Sequence, residues 1–249
     1  MPNQTIEIAT ADGSAEAYVT RPDDAEHPGV LFLMDAIGLR PRTKEMADRI
    51  ASWGYIVLAP NVFYRHGRAA DLAPTKDLRL DGNRDEFFSE AVVRVNSLTN
   101  DLAREDLARY LEALQGLQGV VGEAVGTTGY CMGGRLTFLA AASFPQRIAA
   151  AASFHTGKLV TDATDSLHLR AGSIGAELLL RHADHDHSMT PADIAQLEAE
   201  LDLAGVTYSS SIYADAAHGY TMSDTSVYDH EASERHFTEL EDLLARTLR

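Results

Sequence analysis

A single cysteine, Cys131, occurs in 249 residues, so no disulfide closes within the chain. Stability must then come from a packed core, which 45% hydrophobic and 23% charged residues at this length allow. Cations are scarce: 21 Lys and Arg stand against 37 Asp and Glu, a formal charge of −16. Nucleic acid and anionic membranes are bound by neutralising phosphates with Lys and Arg, so this balance argues against both as partners. No apolar stretch approaches the ~18 residues that span a bilayer, and the Ala-rich run 148–154 is far too short. The start, Met1-Pro2-Asn3-Gln4-Thr5, lacks the basic end and apolar centre of a secretion signal. With the lone cysteine, that points to the cytoplasm. No repeat, low-complexity tract or Ser/Pro/Gly linker divides the chain, and one domain over 1–249 is expected. The one tryptophan, Trp53, ends a predicted helix before Gly54 and reads as packing.

What is present is an alternation of strands and helices. Ile6-Glu7-Ile8 and Ala15-Glu16-Ala17-Tyr18-Val19-Thr20, either side of Asp12-Gly13, predict an antiparallel hairpin. Residues 29–34 form a continuous apolar run, as for a strand covered on both faces. A helix over 42–53 and a strand over 55–60 follow. The stretch 61–83 is irregular, mixes aromatic, basic and acidic residues, and reads as a loop excursion over the sheet edge. Helices are predicted over 84–98 and 101–117, and strands over 120–128, 149–154, 176–181 and 207–213. Further helices fall at 191–204, with Thr190 as N-cap and Gly205 as stop, and at 231–248. The fold class is α/β: an open, mostly parallel sheet opened by an antiparallel hairpin, with helices on both faces and active residues at strand C-terminal ends.

Cys131 sits in Gly129-Tyr130-Cys131-Met132-Gly133, between the run ending Thr127-Thr128 and a predicted helix through Leu136-Thr137-Phe138. A residue on a sharp strand-to-helix turn takes a strained conformation that exposes its side chain, and small residues two positions away make room for it. The helix start favours a thiolate. A thiolate nucleophile needs a base, and the base needs an acid to orient it. Ala217-His218-Gly219-Tyr220, after the strand 207–213, supplies His218 as base. Asp184, Asp186 and Asp215 are candidates for the acid, with an Asx-type turn as the plain explanation of Asp215. His182, His185 and His187, beside Asp184 and Asp186, have the ligand types of a metal site, against a solvated His-rich acidic loop as the plainer reading.

These stretches, with Leu33-Met34-Asp35-Ala36-Ile37-Gly38-Leu39, Ser153-Phe154-His155 and Asp186 followed by Pro191, resemble the dienelactone hydrolase family, a cysteine-using branch of the α/β-hydrolases, over nearly the whole chain. The resemblance implies an α/β-hydrolase fold and hydrolysis of a small ester or lactone through a thiol-acyl enzyme, without cofactor or metal. It implies Cys131 as nucleophile, His218 as base, Asp186 as acid, and the backbone N–H groups of Ala36 and Met132 as oxyanion hole. Where family members carry a glutamate that takes part in thiol activation, this chain has Asp35, one methylene shorter. Tyr130, beside the nucleophile, and His155, at a strand end, are expected to face the substrate. Tyr64 and Arg65, with His66 and Arg68 nearby, are expected to line the entrance. A redox-sensing protein using the same thiolate is the alternative. Oligomeric state is not readable from the chain.

Overall fold

The computed structural model describes residues 1–248. The hairpin predicted at the N-terminus is β1 (Asn3–Thr10) and β2 (Gly13–Thr20), paired from Asn3↔Thr20 to Thr10↔Gly13 across Ala11-Asp12. Next come β3 (His27–Leu33), α1 (Pro41–Ala51) and β4 (Ile56–Pro60). The irregular stretch carries one short helical turn, α2 (Ala69–Leu72), before α3 (Asn83–Ser97) and α4 (Asn100–Gln115). The second half is β5 (Val120–Tyr130), α5 (Met132–Ser143), β6 (Ile148–Phe154), a 3-10 turn (Leu167–Ser173), β7 (Glu177–Ala183), α6 (Pro191–Ala204), β8 (Tyr208–Tyr213) and α7 (His230–Thr247). Thr190 caps α6 by accepting from the Asp193 N–H, and Gly205 ends it in the left-handed region, as the sequence predicts.

The eight strands form one sheet in the order β1-β2-β4-β3-β5-β6-β7-β8. β2 runs antiparallel to β1 and β4; every pairing from β3–β4 to β7–β8 is parallel. Helices cover both faces. Gly29 of β3 lies against Leu114 of α4, whereas Gly126, paired with the next residue, Val30, lies against Leu244 of α7. Neighbouring strand residues point to opposite faces, so α4 and α7 sit on opposite sides of the sheet. Between these layers β3 from Gly29 onward, β4 and the second half of β5 are buried, which is why they read as unbroken apolar or small-residue runs. Trp53 packs edge-on against Phe237 of α7, a structural contact as expected.

The turn from β5 into α5 is packed backbone against backbone. A Cβ on Gly133 would lie 2.1 Å from the Leu33 carbonyl oxygen and 2.4 Å from that of Met34, at the end of the neighbouring strand. One on Gly129 would lie 2.1 Å from the Gly133 carbonyl oxygen. Backbone atoms cannot swing aside, so Gly133→Ala is expected to cost more than about 3 kcal/mol or to prevent folding. Gly172→Ala, which meets open space, should stay within roughly 0.5 kcal/mol. Urea denaturation of the two variants checks the contrast.

Candidate active site

β5 delivers Cys131 at φ 54° and ψ −117°, outside the regions where a side-chain-bearing residue rests comfortably. Its N–H donates to the Phe154 carbonyl at 3.0 Å, and its carbonyl accepts from Gly134 N–H at 3.1 Å. The backbone is thus held from both sides while the side chain is partly exposed. α5 begins at the next residue, so the sulfur sits at a helix N-terminus.

Two neighbouring strand ends converge on it. The loop after β7 carries Asp186, whose Oδ1 accepts from the Ser188 N–H at 2.8 Å and the Ser188 hydroxyl at 2.7 Å. Its Oδ2 accepts from His218 Nδ1 at 2.6 Å, and that imidazole shares the cleft with Cys131. Of the three carboxylates considered, Asp186 is the one that reaches His218. Asp184 instead accepts from the N–H groups of His185 and Asp215 and ties two loops together. Asp215 occupies a left-handed turn position at φ 61°. Burial works against a charged His218, but the negative charge of Cys131 and the hydrogen bond to Asp186 outweigh it and push the imidazole up to about 10. Burial would likewise raise Asp186, but the bonds from His218 and Ser188 hold it down at about 2.

Cys131, Met132, Ala36, Asp186 and His218 line a cleft of about 1040 Å³. Neither the Ala36 N–H nor the Met132 N–H donates to a protein acceptor among the described residues, so two backbone donors beside the sulfur are free. A partly exposed sulfur at a helix N-terminus, an imidazole bonded to a carboxylate and two free backbone donors together suit attack on a polarised carbonyl.

Other expected residues lie elsewhere. Tyr130 is fully buried: its ring packs against Phe32 and Phe154, and its hydroxyl meets His236 Nε2 at 3.3 Å. Strand alternation explains this, since the turn that exposes Cys131 leaves its predecessor in the core. Tyr64 and Arg65 do not line the cleft. Both bind Asp106 of α4, and Arg65 also holds Asp12 in the hairpin turn. His66 bonds Ser97, and Arg68 reaches Glu7 and Glu16. The basic turn therefore fastens the hairpin and α4 together, and α3 forms the cleft wall expected of it. His155 lies behind the site rather than in the cleft: fully buried, edge-on to His218 at 5.3 Å, with Nε2 on the Thr221 hydroxyl at 2.8 Å.

Asp35 is buried and bonds away from the sulfur. Arg40 grips both its oxygens, at 2.6 and 3.1 Å, and the N–H groups of Ile37 and Gly38 donate to Oδ1. Arg40 also binds Asp224, at 2.5 Å from Nε. Arg40 was missed in the sequence because its partner Asp224 lies 184 residues away. The three histidines diverge: His182 is buried on Ser210, the His185 side chain is 91% exposed, and His187 faces the cleft. Among the described residues, no group of three or more His, Cys, Asp or Glu converges as metal ligands would.

The sequence model of the dienelactone hydrolase family matches residues 15–248. A carboxymethylenebutenolidase of Rhodococcus opacus is 27% identical over 192 residues, 77% of this chain and 69% of its own length. A Methylorubrum extorquens protein is 26% identical over 242 residues, covering 95% of this chain and 78% of that protein. Among solved structures, a Klebsiella pneumoniae protein superposes with a TM-score of 0.83 at 21% identity, over 98% of both chains. Dienelactone hydrolase from Anabaena variabilis gives 0.69 at 17% identity over 100% and 99%. These likenesses identify the architecture as the α/β-hydrolase fold. Among the described residues, no helix is long and apolar enough to cross a membrane.

The elevated His218 affinity makes a stability prediction. The folded state holds its proton up to about 10, against 6.5 for an unperturbed histidine. The contribution is therefore full below about pH 6.5 and fades as pH rises through about 10. Urea denaturation of the parent protein and His218→Asn is expected to show a stability gap that shrinks between about pH 6 and 10. A gap that widens over that range contradicts the assigned ion pair.

Proposed function

Because the chain belongs to the dienelactone hydrolase family, we propose that it hydrolyses carboxylic esters or lactones, with Cys131 as nucleophile, His218 as base and Asp186 as the acid that orients it. The observation that carries this reading is the His218–Asp186 hydrogen bond at 2.6 Å beside Cys131, the three residues coming from separate strand ends onto one cleft.

The Cys131 thiolate attacks the substrate carbonyl carbon, and the carbonyl π pair moves onto oxygen. The N–H groups of Met132 and Ala36 receive that oxyanion. As the intermediate collapses, the C–O bond breaks and the charged His218 gives its proton to the departing alkoxide, leaving a thioester on Cys131. Neutral His218 then takes a proton from water, which attacks the thioester. The carboxylic acid leaves, and the thiolate and charged imidazole are restored. No step calls for a cofactor.

Asp35 enters this scheme as a positioning group. Its carboxylate is neutralised by Arg40, which leaves His218 and the helix N-terminus to hold the thiolate. The same interactions fix the turn that presents the Ala36 N–H. The reading takes the chain as one domain acting in the cytoplasm, where a lone thiol stays reduced.

With p-nitrophenyl acetate, a burst of product equal to the enzyme present is expected, absent in Cys131→Ala and slowed by roughly 100-fold or more in His218→Ala. Cys131→Ser should fold and lose at least roughly tenfold in rate, because an alcohol needs a stronger base than a thiol does. Stopped-flow absorbance reads both. Inactivity toward esters, lactones and thioesters, combined with reversible peroxide oxidation of Cys131, would instead support a redox sensor.

A further inference from the structure

Of the 15 residues of α3 only Ala91 is buried. Phe88, Val92 and Val95 line the cleft instead, and Leu98, just past the helix end, continues the strip. Val92 is 45% exposed. Apolar side chains left this open gain free energy when something other than water covers them. The space before them is ample: a cleft of about 1040 Å³ stands at the top of the usual range for small-molecule sites, about 300–1,000 Å³.

The charges around the cleft select against an acidic occupant. Among the described residues, five carboxylates line it against three Lys and Arg side chains. Asp186 is matched by His218, but Asp85, Asp165 and Asp215 stand exposed at the mouth. A substrate bearing a carboxylate would approach against these groups and against the −16 of the whole chain.

α3 also has a direction relative to the chemistry. Near its start, Arg84 donates to the His218 carbonyl at 3.3 Å. Beyond its end, the Leu98 carbonyl accepts at 3.1 Å from Arg135, which lies one turn into the helix that begins after Cys131. His218 protonates the departing alkoxide, so the alcohol part of an ester belongs at the Arg84 end. The acyl part is left the strip from Val92 to Leu98. Six residues of helix span ~9 Å, roughly the reach of an extended chain of six to eight carbons with bonds of about 1.5 Å.

We propose that the substrate is an ester with an uncharged, elongated apolar acyl chain, which lies along Val92, Val95 and Leu98. This rests on the hydrolase reading above. It adds that the α3 wall sets specificity, selecting for acyl length and against a terminal carboxylate.

Three p-nitrophenyl esters test it: acetate, hexanoate and the mono-ester of adipic acid, which matches hexanoate in chain length but ends in a carboxylate. Each methylene fully removed from water is worth about fourfold in binding, so the four added in hexanoate should raise kcat/KM over acetate by at least about tenfold. The adipate mono-ester is expected to fall at least about tenfold below hexanoate, since its charge forfeits that gain. Val92→Asn should lower the hexanoate-to-acetate ratio by about threefold or more. Val93→Asn, on the next residue, which is 67% exposed and outside the cleft lining, should leave the ratio unchanged. Equal kcat/KM on acetate and hexanoate overturns the inference and leaves the hydrolase reading standing. So does an adipate mono-ester turned over as well as hexanoate, or a ratio that Val92→Asn does not move. Inactivity toward all three esters, or turnover that survives in Cys131→Ala, overturns the hydrolase reading instead. Calorimetry reads the wall without turnover. Octanamide should bind Cys131→Ala protein at least about tenfold more tightly than butanamide, and adding Val92→Asn should narrow that difference. Equal binding of the two amides to Cys131→Ala protein overturns the inference.

Discussion

The close approach of α5 to the ends of β3 and β5 is the constraint on which the rest of the site depends. Gly133 lies so near the Leu33 and Met34 carbonyls, and Gly129 so near Gly133, that neither position has room for a Cβ. That proximity forces a turn with no spare residue, and Cys131 absorbs it at a positive φ. Once the backbone is set, the sulfur projects from the end of the sheet onto the start of a helix, toward the loops that follow β7 and β8. The parallel order β5-β6-β7-β8 brings those loops to the same edge. Sheet order, glycine placement and the exposure of the thiol are therefore one geometric fact seen at three scales.

Electrostatics then determine what the exposed thiol can do. In a chain of charge −16, a positive imidazole gains from the surrounding field, yet burial opposes it. Asp186, held low by His218 and Ser188, supplies the local negative charge that tips the balance, and the sulfur supplies more. His155 shows the opposite outcome at 5.3 Å from the same ring. Fully buried and without a carboxylate partner, it is held well below its ordinary value, first by burial and then by the neighbouring His218. The two rings are pushed in opposite directions because only His218 hydrogen-bonds a carboxylate.

Features governed by local rules were legible in the sequence. The hairpin turn, the Thr190 cap, the Gly205 stop and the buried strands each follow from a few adjacent residues. The elbow was legible too, because its glycines are steric requirements of one turn. The direction of a side chain beside a strained turn was not. Tyr130 looks like a pocket residue by adjacency, but the pleat sends it into the core against Phe154 and His236. Tyr64 and Arg65 were misleading for another reason. A basic, aromatic loop near a sheet edge suggests a substrate entrance, yet Asp106 and Asp12, distant in sequence, take up its hydrogen bonds. Long-range pairing of charges carries no local signal, and for the same reason the Arg40 bridge between Asp35 and Asp224 was invisible.

That bridge takes up the carboxylate of Asp35. An aspartate at the end of β3 could reach toward the sulfur only if its carboxylate were unengaged, and here both oxygens are taken by Arg40 while Oδ1 also accepts from Ile37 and Gly38. Its bonds are to the very turn that contains Ala36, and Arg40 anchors that turn again through the Gly38 carbonyl and through Asp224. The carboxylate is thus tied into the loop opposite Cys131 rather than directed at the sulfur. The consequence falls on where the Ala36 N–H stands, because the turn that carries it is the one these bonds hold.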